Sequence, residues 1–263
     1  MVFFSSIGRL TAEGVTGART SFAFLGETLV CALTALVHPR QFRFRDSALA
    51  FQRASFEGLP ITTGIGFLLG LILAFESAAA TEMFGVKVFV ADLLAIALFR
   101  ELGPLVTAII LAGRSGSAFA AEIGTMKVNE ELDALSTMGL PPVRFLVMPR
   151  VAAAVLAMPV LTVFAELAGL LGGVIVLQLM DIPSQVFWRH VISTTSVFMI
   201  LLGIVKGAFF GLLVGVIGCC AGMRTRMTAD GVGVAATAAV VGSIVAIAVT
   251  DGIMAVICYV WKW

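Results

Sequence analysis

Five apolar segments, each about 20 residues or longer, constrain this chain more than any other feature of its sequence. A helix of about 20 mostly apolar residues crosses the hydrocarbon core of a bilayer. Only 13% of the residues are charged, whereas about 25% are charged in a soluble domain. The sequence therefore predicts an all-α polytopic membrane protein with five transmembrane helices, at about 59–80, 91–112, 151–178, 197–222 and 232–261.

The N-terminal region has two interpretations. Residues 21–37 are apolar but few for a span, contain Glu27, and follow an amphipathic stretch. They form either a sixth span or part of a helix over residues 1–37 that lies in the membrane interface. We favour the interfacial helix. The expected domains are then an N-terminal helical region at 1–58 and a five-span membrane domain at 59–263.

The distribution of basic residues predicts the orientation of the five spans. With the N-terminus inside, 12 of the 17 Lys and Arg residues flank the spans on the inner side. Short loops rich in Lys and Arg stay in the cytoplasm. We therefore expect a cytoplasmic N-terminus and a C-terminus on the outer side.

Ionisable residues occur deep inside four of the five apolar segments, namely Arg100, Glu101, Glu166, Lys206 and Asp251. Counted from the outer ends of their spans, they lie roughly 14–18 Å deep at 1.5 Å per residue. A charge at the centre of a lipid-facing helix costs about 2.5–3.5 kcal/mol. They are therefore expected to face the protein interior, as a charged layer near the midplane. This layer is either an ion-pair network that fixes helix packing or the waist of a functional cavity.

Pro104 follows the Arg100–Glu101 pair in the second span. Proline has no N–H to donate to the carbonyl of residue 100, and its ring clashes there. The sequence predicts a kink and a free carbonyl beside the charged pair.

Glycine recurs every four residues in the fourth span, at Gly203, Gly207, Gly211 and Gly215. Small residues at this spacing form a smooth stripe that allows close helix packing. The stripe packs either within one chain or across a dimer.

The long inner loop between the second and third spans contains an acidic amphipathic stretch, predicted to be helical over 128–138. Gly139 and the two prolines after it predict the end of this helix. The surrounding region, 118–142, is either a docking element for a cytoplasmic protein or a solvated loop.

The sequence lacks the residues that several other classes of protein require. The net charge of +1 gives no basic surplus to suggest nucleic acid, and the four cysteines predict no metal site because no C-x-x-C spacing occurs among them. The chain has no phosphate-binding loop with which to bind ATP itself. The motif at 113–116 matches that of intramembrane serine proteases, but both histidines lie outside the spans, on opposite sides of the membrane.

Several motifs occur in a fixed order along the chain: FRELGP at 99–104, AGRSGS at 112–117, AEIGTM at 121–126, EELDAL at 130–135, and Pro149-Arg150. Together they closely resemble the MlaE-type permease family, the membrane subunits of ABC transporters that work with MCE proteins. The resemblance covers most of the chain and is strongest over 99–175.

The resemblance implies a homodimer in the bacterial inner membrane that moves phospholipid between inner and outer membranes. It implies partners: a cytoplasmic ATPase that binds ATP and Mg, a periplasmic MCE protein, and in some cases a STAS-domain protein. The chain would be a permease, not an enzyme, with no cofactor of its own. The ATPase would dock on the coupling region, where the candidate residues are Glu122, Lys127, Glu130, Glu131 and Asp133.

The resemblance also assigns residues to the lipid cavity. The charged positions of the family fall on Arg100, Glu101, Lys206 and Asp251. The family position matching Glu166 can be apolar. The outer part of the first span, with Phe75 and Glu76, would line the cavity, and the role of Glu76 is open.

Two alternatives remain at this point. An ion-coupled secondary transporter would use the buried acids as a proton relay and work without an ATPase. A scaffold that only assembles partners would tolerate substitution of the buried charges.

Overall fold

A computed structural model describes residues 43–82 and 89–260, together with some helical residues between 24 and 34. The described residues form helices joined by short turns, with no strand among them. Five of the helices are long and apolar enough to cross a membrane, which confirms the all-α class and the five spans. Most of the predicted interfacial helix at 1–37 lies outside the described residues.

The spanning helices are separated by two shorter ones. In chain order the helices are α1 (Phe44–Glu82), α2 (Phe89–Val128), α3 (Glu131–Thr137), α4 (Val143–Leu179), α5 (Ser184–Thr194), α6 (Val197–Met223) and α7 (Ala229–Val260).

The first two spanning helices extend well beyond the predicted spans, at the ends that the basic residues predict to be cytoplasmic. Helix α1 has 39 residues, so it is about 58 Å long, against about 30 Å for the hydrocarbon core. It is continuous through residue 58, where we placed a domain boundary. Helix α2 likewise continues past residue 112 to Val128. The helices do not end where the sequence becomes polar, because the backbone hydrogen bonds of a helix also form outside the hydrocarbon core.

Three π-helical turns interrupt the α-helical pattern, at Leu98–Leu102 and Ala112–Gly116 in α2 and at Val143–Val147 in α4. Each contains one arginine. Because a π turn shifts hydrogen bonds from i−4 to i−5, it frees a carbonyl, and such turns are frequent at functional sites.

The inner loop differs from the single helix predicted over 128–138. Helix α2 ends at Val128, and Glu130 has a left-handed conformation with φ of 60°. Helix α3 starts only after it, at Glu131. A left-handed residue cannot continue a right-handed helix, so the two segments point in different directions. The predicted stop is confirmed, because Gly139 has φ of 75° two residues after α3 ends.

The glycine stripe of α6 packs inside the chain. A Cβ atom added to Gly211 would lie 2.5 Å from the Ala154 carbonyl oxygen in α4. Gly218, about one turn beyond the stripe on α6, makes a similar contact, since a Cβ added to it would lie 2.7 Å from the Gly116 carbonyl oxygen in α2. The stripe therefore brings backbones within one chain together, which answers the question that the sequence leaves open.

Helices α1 and α4 approach each other in the same way, which gives a test of the packing. Gly70 lies directly against the backbone of Gly169, whereas no described atom lies within 4 Å of a Cβ added to Gly64. We expect Gly70→Val to force the helices apart, at a cost of at least about 1–3 kcal/mol. The thermal midpoint of the purified protein should fall by several degrees.

The matched control is Gly64→Val, on the same helix and of the same chemistry. It should leave the thermal midpoint near that of wild type. Equal midpoints for the two variants would contradict the close α1–α4 contact.

Candidate functional site: a lysine-centred charged cluster

Lys206 is the centre of a charged cluster in the middle of the bundle. Its side chain on α6 is only 5% exposed, and its ammonium group contacts the carboxylate of Glu101 from α2. The carboxylate oxygen Oδ1 of Asp251, from α7, lies 2.5 Å from the same ammonium nitrogen. One cation thus holds acids from two other helices.

The two carboxylates bind the ammonium differently. Glu101 accepts a hydrogen bond from Lys206. Asp251 Oδ1 is close enough to pair its charge, but its direction does not meet the geometry of a hydrogen bond. The Asp251 contact is therefore mainly electrostatic.

The π turn at Leu98–Leu102 supplies a further acceptor. The N–H of Gly103 bonds to the Leu98 carbonyl, and Pro104 has no N–H to offer. Nζ of Lys206 lies 3.4 Å from the Arg100 carbonyl oxygen, as a donor to it. The carbonyl that the sequence predicts to be free is thus beside the ammonium group.

Arg100 lies at the edge of the cluster. Its Nε is 4.0 Å from Glu101 Oε1, and the side chains of Arg100 and Glu101 are 32% and 33% exposed. With Lys206 and Asp251, the cluster contains two cations and two anions. It is formally neutral, with one side open to the surface of this chain.

Glu166 reaches the same layer but not the ion pairs. It is 2% exposed, and Gly103 and Gly203 leave the space that its side chain occupies. Among the described residues it has no ion-pair partner. The sequence places Glu166 at the right depth, but its direction from α4 separates it from Lys206.

Phe75 and Glu76 lie apart from the cluster. Both are exposed on α1, Phe75 at 48%. Gly66 of α1 packs against Ala165, next to Glu166, so Glu76 lies ten residues, or about 15 Å, farther along the helix. No polar contact joins it to the cluster among the described residues.

The five predicted coupling residues fall into two groups. Glu122 and Lys127 lie on α2 and bind other helices: Glu122 Oε2 accepts from Arg150 at 2.9 Å, and Lys127 donates to the Met223 carbonyl at 2.7 Å. Glu130, Glu131 and Asp133 are exposed around the start of α3. Only the second group forms a free acidic surface.

Polar contacts at two places in the bundle were missed by the sequence reasoning. Arg114, in the second π turn, binds Glu57 of α1. On the opposite side of the chain, His190 Nδ1 lies 3.1 Å from Asp92 Oδ2, and Thr194 donates to Asp92 Oδ1. Nothing in the sequence pairs residues so far apart. The only available signal is their common position near the ends of neighbouring spans.

The fold and the buried cluster together define a multi-pass membrane protein with a polar centre. The family profile described as Permease MlaE matches residues 49–257, so the chain belongs to the MlaE permease family.

Individual relatives agree with this assignment. The chain is 35% identical over 197 residues to a probable ABC transporter permease protein of Rickettsia typhi, covering 74% of this chain and 76% of the relative. It is 35% identical over 242 residues to a probable ABC transporter permease protein of Synechocystis, covering 89% and 92%. It is 30% identical over 230 residues to Protein TRIGALACTOSYLDIACYLGLYCEROL 1, chloroplastic, of Arabidopsis thaliana, covering 87% and 64%.

The shared ammonium group gives a test of the cluster's energetics. Lys206→Met would leave the carboxylates of Glu101 and Asp251 without their cation. Removing one partner of a buried pair costs about 3–5 kcal/mol. Glu101→Gln should cost less, because Asp251 still neutralises Lys206. We expect the thermal midpoint to be lowest for Lys206→Met, higher for Glu101→Gln and highest for the wild type.

The triple variant Lys206→Met, Glu101→Gln, Asp251→Asn removes all three charges together. It should recover most of the stability lost in Lys206→Met. A suitable control is Arg189→Met, an exposed cation on α5. If Lys206→Met were as stable as this control, the cluster would not be an ion-pair centre.

Proposed function

We propose that this chain is the membrane subunit of an ABC transporter that moves phospholipids between the inner and outer membranes of a bacterium. In this proposal two copies form a homodimer in the inner membrane, with cytoplasmic N-termini and periplasmic C-termini. A cytoplasmic ATPase supplies the energy. An MCE-domain protein receives or delivers lipid on the periplasmic side, and a STAS-domain protein can join the ATPase.

The observation that carries the proposal is the open side of the charged cluster. Arg100 and Glu101 are each about one third exposed on this chain, at a depth near the midplane. Charges facing lipid at that depth are costly. Their open side must therefore meet another protein surface or a water-containing cavity, as in a dimer that encloses a lipid path.

One of the relatives supports a lipid as cargo. The plant relative carries the name of a glycerolipid. In our proposal the acyl chains lie against apolar walls, and the headgroup meets the cluster or the outer part of α1 near Phe75 and Glu76. The glycine stripe of α6 is used inside the chain, so the second copy would contact other faces.

Movement of the cytoplasmic end can reach the cluster through α6. Lys127, at the end of α2, donates a hydrogen bond to the carbonyl oxygen of Met223, the last residue of α6. A Cβ added to Gly222 would lie 2.8 Å from Ile123 Cβ, so the two helices are in close contact there. Lys206 lies 17 residues earlier on α6, about 25 Å away. In our proposal the ATPase pushes on 118–142 and α6 carries the motion to the cluster.

The triple variant, in which Arg100 is the one charged side chain left in the cluster, tests the functional role directly. Assembled with its ATPase and MCE partners in proteoliposomes, it should transfer fluorescent phospholipid to acceptor vesicles at least about tenfold more slowly than wild type. The reason is that the charges can only drive a cycle if they interact differently with its two states. Transfer would be measured together with ATP hydrolysis.

If the folded triple variant transferred lipid at the wild-type rate, the cluster would have only a structural role in helix packing. Transfer by wild-type permease without any ATPase would instead favour the ion-coupled transporter.

Lys127→Met tests the route through α6. It removes the bond to Met223 while keeping most of the apolar stem. We expect ATP hydrolysis to continue while lipid transferred per ATP falls severalfold. Arg226→Met removes an exposed cation on the same side and should not change this ratio. An unchanged ratio in Lys127→Met would exclude this contact from coupling.

A further inference from the structure

A second charged site lies far from Lys206, close to the ends of the first three predicted spans that the basic residues predict to be cytoplasmic. It is a cavity of about 310 Å³ between α1, α2 and α4, within the range of small-molecule sites, roughly 300–1,000 Å³. Four arginines line it: Arg43, Arg53, Arg114 and Arg150.

Three of these arginines are held by acids that also line the cavity. Arg114 binds Glu57, Arg150 binds Glu122 at 2.9 Å, and Arg43 binds Asp46 at 2.7 Å. The guanidinium groups are thus held in place around the cavity.

Arg53 is different. It is exposed, and among the described residues no carboxylate lies within ion-pairing distance of it. The lining contains four arginines and three acids, Asp46, Glu57 and Glu122, so it carries one surplus positive charge. Arg114 Nη1 lies 3.5 Å from the Arg53 carbonyl oxygen, so the two arginines are neighbours. This favours a ligand that brings both a negative and a positive group.

The depth of the cavity identifies the layer that it faces. Arg53 and Glu57 precede the predicted inner end of the first span at 59. Arg114 follows the second span by two residues, and Arg150 precedes the third by one. Three helices thus place charged side chains just outside the hydrocarbon core, where lipid phosphates lie.

An apolar surface continues from the cavity towards the membrane centre. On α1, Ile61, Ile65, Leu68 and Ile72 are exposed, at 47%, 39%, 56% and 56%. Steps of three or four residues from Glu57 place them on one face of the helix. This face also carries Phe75, so it joins the cavity to the outer part of α1.

We propose that this cavity binds the headgroup of a cytoplasmic-leaflet phospholipid that carries a primary ammonium, of the phosphoethanolamine type. The phosphate lies between Arg53 and Arg114, and the ammonium lies near Glu57. The acyl chains lie along the exposed apolar face of α1. The site does not require that this lipid be transported, so it can fail or hold independently of the transport function.

Native mass spectrometry of the purified full-length chain with added lipids tests the site. Phosphatidylethanolamine should remain bound to the wild type after detergent removal, and Arg53→Gln should reduce the bound fraction at least about fivefold. The matched control, Arg189→Gln, removes an exposed arginine on the other side of the chain and should change nothing. Equal thermal midpoints would verify that all three proteins are folded.

Glu57→Gln tests the recognition of the ammonium. It should shift the preference from phosphatidylethanolamine towards phosphatidylglycerol, which carries the phosphate but no ammonium. Equal retention in wild type and Arg53→Gln would overturn the proposal. The proposal would also be overturned if water-soluble glycerophosphoethanolamine bound as well as phosphatidylethanolamine, because the apolar face of α1 would then contribute nothing to binding. Loss of ATPase binding in Arg53→Gln with lipid retention unchanged would mark the cavity as a protein-docking site instead.

Discussion

The neutralisation of one ammonium group, that of Lys206, is the interaction on which the centre of this bundle depends. A buried charge needs a partner of opposite sign and its hydrogen bonds satisfied. Here Glu101 comes from α2, Asp251 from α7, and the main chain at Arg100 contributes a carbonyl oxygen. Displacing either α2 or α7 would leave charge uncompensated, so the relative positions of three helices are linked through a single side chain.

Close backbone contact makes this link possible. Gly203 and Gly207 flank Lys206 on α6 and pack against Phe99 of α2 and Thr162 of α4. Larger residues there would move α6 outwards and lengthen the distance that the lysine must bridge. The glycine stripe and the charged cluster therefore act together: the first sets the spacing of the helices, and the second sets their register.

The π turns place charge where a regular helix would not. The turn at Leu98–Leu102 frees a carbonyl next to the cluster, and the turn at Ala112–Gly116 contains the Arg114 that binds α1. Pro104 predicts the lost hydrogen bond in the first case. It does not predict that the helix responds by widening a turn, because a kink and a π turn satisfy the same local constraint. Glu130 was missed for a related reason: a left-handed glutamate is uncommon, and only the direction of the following segment requires it.

The sequence by itself determined how many helices are long and apolar enough to cross a membrane and how far along its apolar segment each charge lies, because hydrophobic length and the rise per residue are local quantities. It placed Arg100, Glu101, Glu166, Lys206 and Asp251 in one layer. Only the tertiary structure decided that four of them meet and that Glu166 packs separately between Gly103 and Gly203. The direction of a side chain around its helix axis becomes meaningful only once neighbouring helices are in place, and those neighbours come from distant parts of the chain.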